Sequence, residues 1–216
     1  MNFYFVLFCL TIVGPAFSIN VTVYYESLCP DSVEFITRQL YPSYSSLEEY
    51  IKIKLVPFGK AFLLIENDNY MVSCQHGPAE CSGNKYQACL LDQNKGQKTD
   101  VAVINCIMSQ PNPSIYRTVE NCASLFKYNT TVLRKCANGP RGDQLIIMHG
   151  NKTMDLDPNL SFVPTIIYND FYNQTEQEAS LKDFAAVVCH KIKSGKPKIC
   201  NGKSFPRATW YDWLNY

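Results

Sequence analysis

Between residues 20 and 26 apolar and polar positions alternate, with Val21, Val23 and Tyr25 on one side and Thr22, Tyr24 and Glu26 on the other. A period of two over β-branched and aromatic residues predicts a strand. A short turn, Ser27-Leu28-Cys29-Pro30, follows, and the spacing then becomes helical through Val33, Phe35, Ile36 and Leu40. Pro30 suits a first helical turn, where its missing N–H has no partner to lose. Cys29 therefore stands where a strand hands over to a helix N-terminus. Alternation returns at Ile51, Ile53 and Leu55, separated by Lys52 and Lys54, until Pro57 and Gly59 end a second strand. Strand, helix and strand within about 35 residues form a βαβ unit with parallel strands and a right-handed crossover.

The pattern changes from 74 to 150. Stretches 84–92 and 99–108 read as helices, and Pro111, Pro113, Gly139 and Pro140 as breaks. A β-branched strand follows over 161–169, with Pro164 near its start, and a short strand is expected around Phe171. Leu181, Phe184, Val188 and Ile192 then mark a last helix, with Ser180 as its expected N-cap. This order, β-α-β, helical insertion, β-β-α, is that of a thioredoxin-like domain. The expected architecture is α/β over residues 19–200, with a disulfide-rich helical insertion at about 74–150 between the second and third strands. The tail, 201–216, holds both tryptophans and shows no period.

Composition narrows the setting. With 46% hydrophobic and 18% charged residues, the chain of 216 reads as one globular core. A formal charge of +1 gives no nucleic-acid footprint, and no long basic run marks a membrane surface. Residues 3–17 are almost wholly apolar, too short for a membrane span of about 20 residues. They fit a signal peptide cleaved after Ser18, with Ala16 and Ser18 as the small residues, although no Lys or Arg precedes the run. The competing reading is an apolar first element of the mature domain.

Of ten cysteines, Cys9 would leave with that peptide. Those remaining are Cys29, Cys74, Cys81, Cys89, Cys106, Cys122, Cys136, Cys189 and Cys200, a density that suits an oxidising compartment. Their odd number requires a free or intermolecular thiol. Asn-x-Ser/Thr sequons at Asn20, Asn129, Asn151, Asn159 and Asn173, with the expected signal peptide, point to a glycoprotein.

Parity and position single out Cys29 as the nucleophile. A helix N-terminus lowers a thiol's pKa, and the thiolate is the species that attacks disulfides; Asp31 and Glu34 oppose that shift. Ser32 stands where a resolving cysteine would act. Its hydroxyl can hydrogen-bond the thiolate but cannot close an internal disulfide. The expected chemistry is monothiol exchange, with an external thiol such as cysteine or glutathione as reductant and no bound cofactor. Pro164 is expected in cis facing Cys29, as in thioredoxin-like folds, where it exposes backbone to an extended substrate.

Residues 74–89 read Cys74-Gln75-His76-Gly77-Pro78-Ala79-Glu80-Cys81-Ser82-Gly83-Asn84-Lys85-Tyr86-Gln87-Ala88-Cys89. This stretch resembles the C-Q-H-G-x2-E-C-x2-N-x4-C signature of the gamma-interferon-inducible lysosomal thiol reductases at every fixed position. Tyr24 to Cys29, Leu55 to Lys60 and Val163-Pro164 resemble further parts of that family, so the likeness spans roughly 20–200. It implies a glycosylated thiol oxidoreductase of the lysosomal or extracellular space, acting on protein disulfides, with Cys29 as nucleophile. Ser32 departs from the family's Cys-x-x-Cys.

Within the signature, His76 is read as ordering its loop, with proton transfer as the other role; His149 and His190 lack a partner motif. A zinc site of Cys74, Cys81, Cys89 and His76 is not favoured, since its spacings depart from short C-x2-4-C pairs, and no metal is expected. No protease signature surrounds Cys29. By proximity Cys122 pairs with Cys136 and Cys189 with Cys200, leaving Cys74, Cys81, Cys89 and Cys106 to pair together, although spacing alone does not fix connectivity. Two functions follow: exchange through Cys29, or a redox-impaired glycoprotein that acts by binding, in immunity or host–pathogen contact.

Overall fold

A computed structural model describes residues 18–66 and 69–206. The expected signal peptide (all but Ser18) and the last ten residues of the tail, both tryptophans included, lie outside them.

The central sheet has the order β2-β1-β5, built from β1 (Ile19–Tyr25), β2 (Ile51–Pro57) and β5 (Thr165–Tyr168). β1 runs parallel to β2 and antiparallel to β5. The expected one-sided strand at 20–26 is in fact central: Thr22 and Tyr24 are buried as well as Val21, Val23 and Tyr25. Covering both faces overrides the alternation, which marks only half-buried strands.

The helix after Cys29 is continuous through α1 (Pro30–Glu34), a π-helical segment (Phe35–Leu40) and α2 (Tyr41–Leu47). Pro42 accounts for the wide turn: it lacks an N–H and its ring crowds the carbonyl four residues back. Against this helix packs α8 (Gln174–Lys191). Phe35 and Phe184 meet edge-on at 5.7 Å, and Tyr168 of β5 stacks on Phe184 at 6.4 Å.

α8 begins earlier than expected. The Asn173 side chain caps it, accepting from Glu176 N–H at 3.0 Å. The chain then breaks at Asp183 (φ −149°, ψ 85°), whose carboxylate accepts from Ala186 N–H at 2.9 Å and recaps the second half. Ser180 is no cap. It is buried inside the first half, its hydroxyl 2.7 Å from Tyr168 Oη and 2.6 Å from the Glu176 carbonyl. Around Phe171 there is a single bridge to Tyr168 rather than a strand.

Between β2 and β5 lies the insertion. It opens with an unforeseen hairpin, β3 (Phe62–Glu66) and β4 (Asn69–Ser73), followed by α3 (Pro78–Leu91), α4 (Gln97–Met108), α5 (Tyr116–Leu125), α6 (Thr130–Ala137) and α7 (Pro140–Met154). Gly77, at φ +83°, turns the chain into α3, and Pro78 starts that helix six residues before the apolar pattern does.

Four disulfides join Cys74–Cys81, Cys89–Cys136, Cys106–Cys122 and Cys189–Cys200. Only the first and last agree with pairing by proximity. Cys122 bonds Cys106 and Cys136 bonds Cys89, because α3 packs on α6 and α4 packs on α5. Helix packing sets these two pairs, and short chain separation does not.

Candidate active site

β1 delivers the chain into the turn at Glu26, Ser27 and Leu28, and Cys29 is the N-cap of α1. It is the free cysteine among the described residues, and it is 5% exposed. Its Sγ lies 3.6 Å from the carbonyl oxygen of Val163, and the Val163–Pro164 peptide is cis. The fold thus brings Cys29, Ser32 and Pro164 to one place. Ser32 is fully buried one turn into the helix, its hydroxyl accepting from Glu26 N–H at 3.3 Å.

The electrostatics depart from the sequence expectation. Burial pushes the Cys29 thiol above its ordinary value of 9.0. The Ser32 N–H, the Ser32 hydroxyl and the Asp31 N–H act to lower it, and the charge of Glu26 raises it further. The helix terminus exerts the expected pull, but desolvation wins. The opposing carboxylate is Glu26 rather than Asp31 or Glu34.

The signature segment clamps the approach to this thiol. Asn84 Oδ1 accepts from Ser27 N–H at 2.8 Å, and the Ser27 hydroxyl donates to the Glu80 carbonyl at 3.2 Å. Tyr25 Oη donates to Gln87 Oε1 at 2.7 Å. Gly83 is needed because a Cβ there would run into the Ser27 hydroxyl and the Ser114 backbone. Two residues ahead of Cys29, Tyr25 and Ser27, are thus held from α3.

Sequence reasoning missed a second cluster. Glu26 and Glu80 are both fully buried, and His76 lies between them. His76 Nδ1 is 2.7 Å from Glu80 Oε2 and 3.3 Å from Glu26 Oε2. Burial, with help from Glu80, raises the Glu26 pKa to about 7, against the Lys60 N–H and His76. Glu26 reads as a polar strand position in sequence. Its one available signal is a carboxylate in a β-rich strand three residues before the candidate nucleophile. His76 does order its loop, as expected. The set Cys74, Cys81, Cys89 and His76 cannot bind zinc, since all three cysteines are disulfide-bonded.

Two clefts flank α1 and share Glu34. One, of about 600 Å³, is lined by Asp31, Phe35, Phe162, Tyr172 and Leu181 among others. The other, of about 720 Å³, is lined by Leu28, Pro30, Val33, Met108 and Pro111 among others.

An unpaired cysteine capping a helix opposite a cis-proline, on this sheet, defines the scaffold of a thioredoxin-like thiol oxidoreductase. Solved structures agree on the fold. The chain is similar to DsbA of Chlamydia trachomatis, with a TM-score of 0.57 at 13% identity over 84% of this chain and 91% of that one. It is likewise similar to MdbA, a thiol-disulfide oxidoreductase from Actinomyces oris, with a TM-score of 0.56 at 11% identity over 84% and 83%.

Sequence comparison is more specific. Residues 20–126 match the family model of the gamma interferon inducible lysosomal thiol reductase (GILT). A gamma-interferon-inducible lysosomal thiol reductase-like protein of Anopheles gambiae is 35% identical over 84% of this chain and 80% of its own length. GILT-like protein 1 of Drosophila melanogaster is 32% identical over 86% and 80%. The reductase of Carassius auratus is 34% identical over 88% and 75%. The chain belongs to the gamma-interferon-inducible lysosomal thiol reductase family.

Proposed function

We propose that this protein exchanges disulfides of protein substrates by a monothiol mechanism through Cys29. The observation that carries this reading is an unpaired cysteine at a helix N-cap, with its Sγ against the carbonyl of the cis-proline loop.

The Cys29 thiolate attacks one substrate sulfur, forming a mixed disulfide and releasing the other sulfur as a thiolate. Ser32 holds the thiol by hydrogen bonding but offers no sulfur. An external thiol, such as cysteine or glutathione, therefore attacks the Cys29 sulfur of the adduct. Substrate leaves as a free thiol and Cys29 carries the small thiol. A second external thiol frees Cys29 as the small-molecule disulfide forms. Overall, one substrate disulfide is reduced and two small thiols are oxidised to one disulfide.

The extended backbone next to Pro164 would pair with substrate, and the cleft holding Phe35, Phe162 and Tyr172 would take its neighbouring side chains. We place this work in the lysosome or extracellular space. The names of the relatives and the apolar start of the chain support that address, as do five exposed sequon asparagines, Asn20, Asn129, Asn151, Asn159 and Asn173. No described helix is long and apolar enough to cross a membrane.

The test is adduct trapping with a disulfide-bonded substrate at pH 5 and pH 7, against Cys29→Ala. The expected result is a Cys29-dependent mixed disulfide that free cysteine resolves. Because the thiol's pKa is raised, the rate should fall about tenfold per pH unit on acidification. Ser32→Cys should let the adduct resolve without added thiol. Absence of any adduct at both pH values would sink the proposal. The second reading, a binding protein that keeps only the scaffold, would then take its place. It is favoured by the burial of Cys29 and by Ser32.

A further inference from the structure

Two fully buried carboxylates and one imidazole converge where β1 meets the signature loop. Each carboxylate is anchored through one oxygen. Glu26 Oε1 accepts from Lys60 N–H at 2.6 Å, and Glu80 Oε1 accepts from His76 N–H at 3.1 Å. Their other oxygens and His76 Nδ1 point inward, and all three donor atoms lie within 4.8 Å of one another. Of these, Glu26 Oε2 is buried and accepts no hydrogen bond. His76 Nδ1 has one proton at most to give there, and Glu80 at 2.7 Å holds the better geometry for it. A buried carboxylate oxygen left without a donor is costly, and a fixed one facing a histidine asks for a cation.

The frame around these donors is rigid. The Cys74–Cys81 disulfide closes the loop that carries His76, and Glu80 lies in the first turn of α3. Gly59, at φ +62°, leaves room for the Glu26 side chain, which a Cβ there would strike. Carboxylates oriented by backbone N–H groups are the outer-sphere arrangement that metal ligands require.

We infer that Glu26 Oε2, His76 Nδ1 and Glu80 Oε2 form a binding site for one divalent transition-metal ion, of which zinc is the representative. Two carboxylates balance the dipositive charge. One imidazole and two oxygens are too few donors for calcium, which takes six to eight oxygens, but they make a three-ligand zinc site with an open position. The His76 side chain is 33% exposed, which supplies both the entry path and that open position. On binding, the ion replaces the Nδ1 proton, and neutral His76 carries its proton on Nε2. The site joins the end of β1 to the signature loop three residues ahead of Cys29, and uses no cysteine.

The test uses the folded protein with its disulfides formed, freed of metal by chelator and titrated with zinc alone against a chromophoric competitor. One ion per chain is expected. Glu26→Gln and Glu80→Gln should each weaken binding by at least about 10–100-fold, the loss seen for outer-sphere partners alone. Should either variant misfold, X-ray absorption on the unaltered zinc-loaded protein decides. It should show nitrogen and oxygen neighbours, including one imidazole, and no sulfur. Sulfur in the first shell, unchanged affinity in a folded Glu26→Gln variant, or no saturable binding would each overturn the inference.

Discussion

β1 and the signature segment meet just ahead of Cys29, yet they are fixed by different means. β1 is held by ladders on both edges and by apolar burial on both faces. The segment from Cys74 to Cys89 is held by two disulfides and by polar contacts from Glu80, Asn84 and Gln87 to the end of β1. The core thus decides where the strand lies, and the insertion decides how its last residues are presented. Stability and presentation of the thiol are separable to that extent, and substitutions can pull them apart.

The largest stability change should come from the insertion's own staple. Replacing both Cys106 and Cys122 by alanine opens a link of sequence separation 16. A loop of that size is worth roughly 3 kcal/mol. Denaturant unfolding should register that loss, while Cys29 adduct formation in the folded protein stays within about twofold, since neither Cys106 nor Cys122 lines the clefts beside Cys29. A parallel collapse of adduct formation would show that stability and presentation are one property.

Acid should weaken the seam between insertion and sheet by a similar amount. His149 of α7 is buried, and its pKa is lowered from 6.5 to about 4 by desolvation and by Lys152 and Lys54, against a smaller opposing pull from Asp92. The folded state therefore favours neutral imidazole, while the unfolded chain takes up the proton near 6.5. Its contribution is fully present above pH 6.5 and is lost as pH falls towards 4, by roughly 3 kcal/mol at most. Unfolding midpoints measured across that window should fall, and His149→Gln should flatten the decline. A protein proposed to work in acid carries here a cost of doing so.

Much of this was legible in sequence, and the gaps have physical causes. The βαβ unit and the helix-start position of Cys29 follow from periodicity, because local spacing dictates them. Burial of Cys29 does not, since it depends on Val163 and the cis-proline loop, 134 residues away. Desolvation then reverses the pKa direction that the helix end alone suggests. The disulfide pairs were hidden for the same reason: packing of α3 on α6 and of α4 on α5 is a tertiary fact. Ser180 looked like a cap because serine is a good one. Asn173 and Asp183 are equally good, and the break at Asp183 leaves no mark in the apolar pattern. Glu26 was passed over because a charged residue at the end of an alternating strand ordinarily faces water.

Presentation can be disturbed from the insertion side by a single methyl group. Gly83→Ala would place a Cβ 2.9 Å from Ser114 Cα and closer still to the Ser27 hydroxyl. Overpacking of this kind costs about 1–3 kcal/mol. The expected outcome is a modest loss of stability with a larger loss of adduct formation, the reverse of the Cys106/Cys122 pair. Rates normalised to folded protein would reveal it. Equal losses in both variants would erase the distinction between the two regions.

The smallest effect should come from Ser32→Ala, on the core side of the turn. The substitution removes the acceptor of Glu26 N–H and one hydrogen bond that favours the Cys29 thiolate. Loss of one buried hydrogen bond costs about 1 kcal/mol. The thiol, already raised by burial, should rise further, so the pH profile of Cys29 alkylation should shift to higher pH with the same plateau. That plateau separates a change in ionisation from a change in access. If the profile stays in place while the plateau drops, Ser32 packs the turn without tuning the thiol. Cys-x-x-Ser is then a resolver lost without replacement. If the profile shifts as expected, the serine holds the thiolate that an external thiol must later set free.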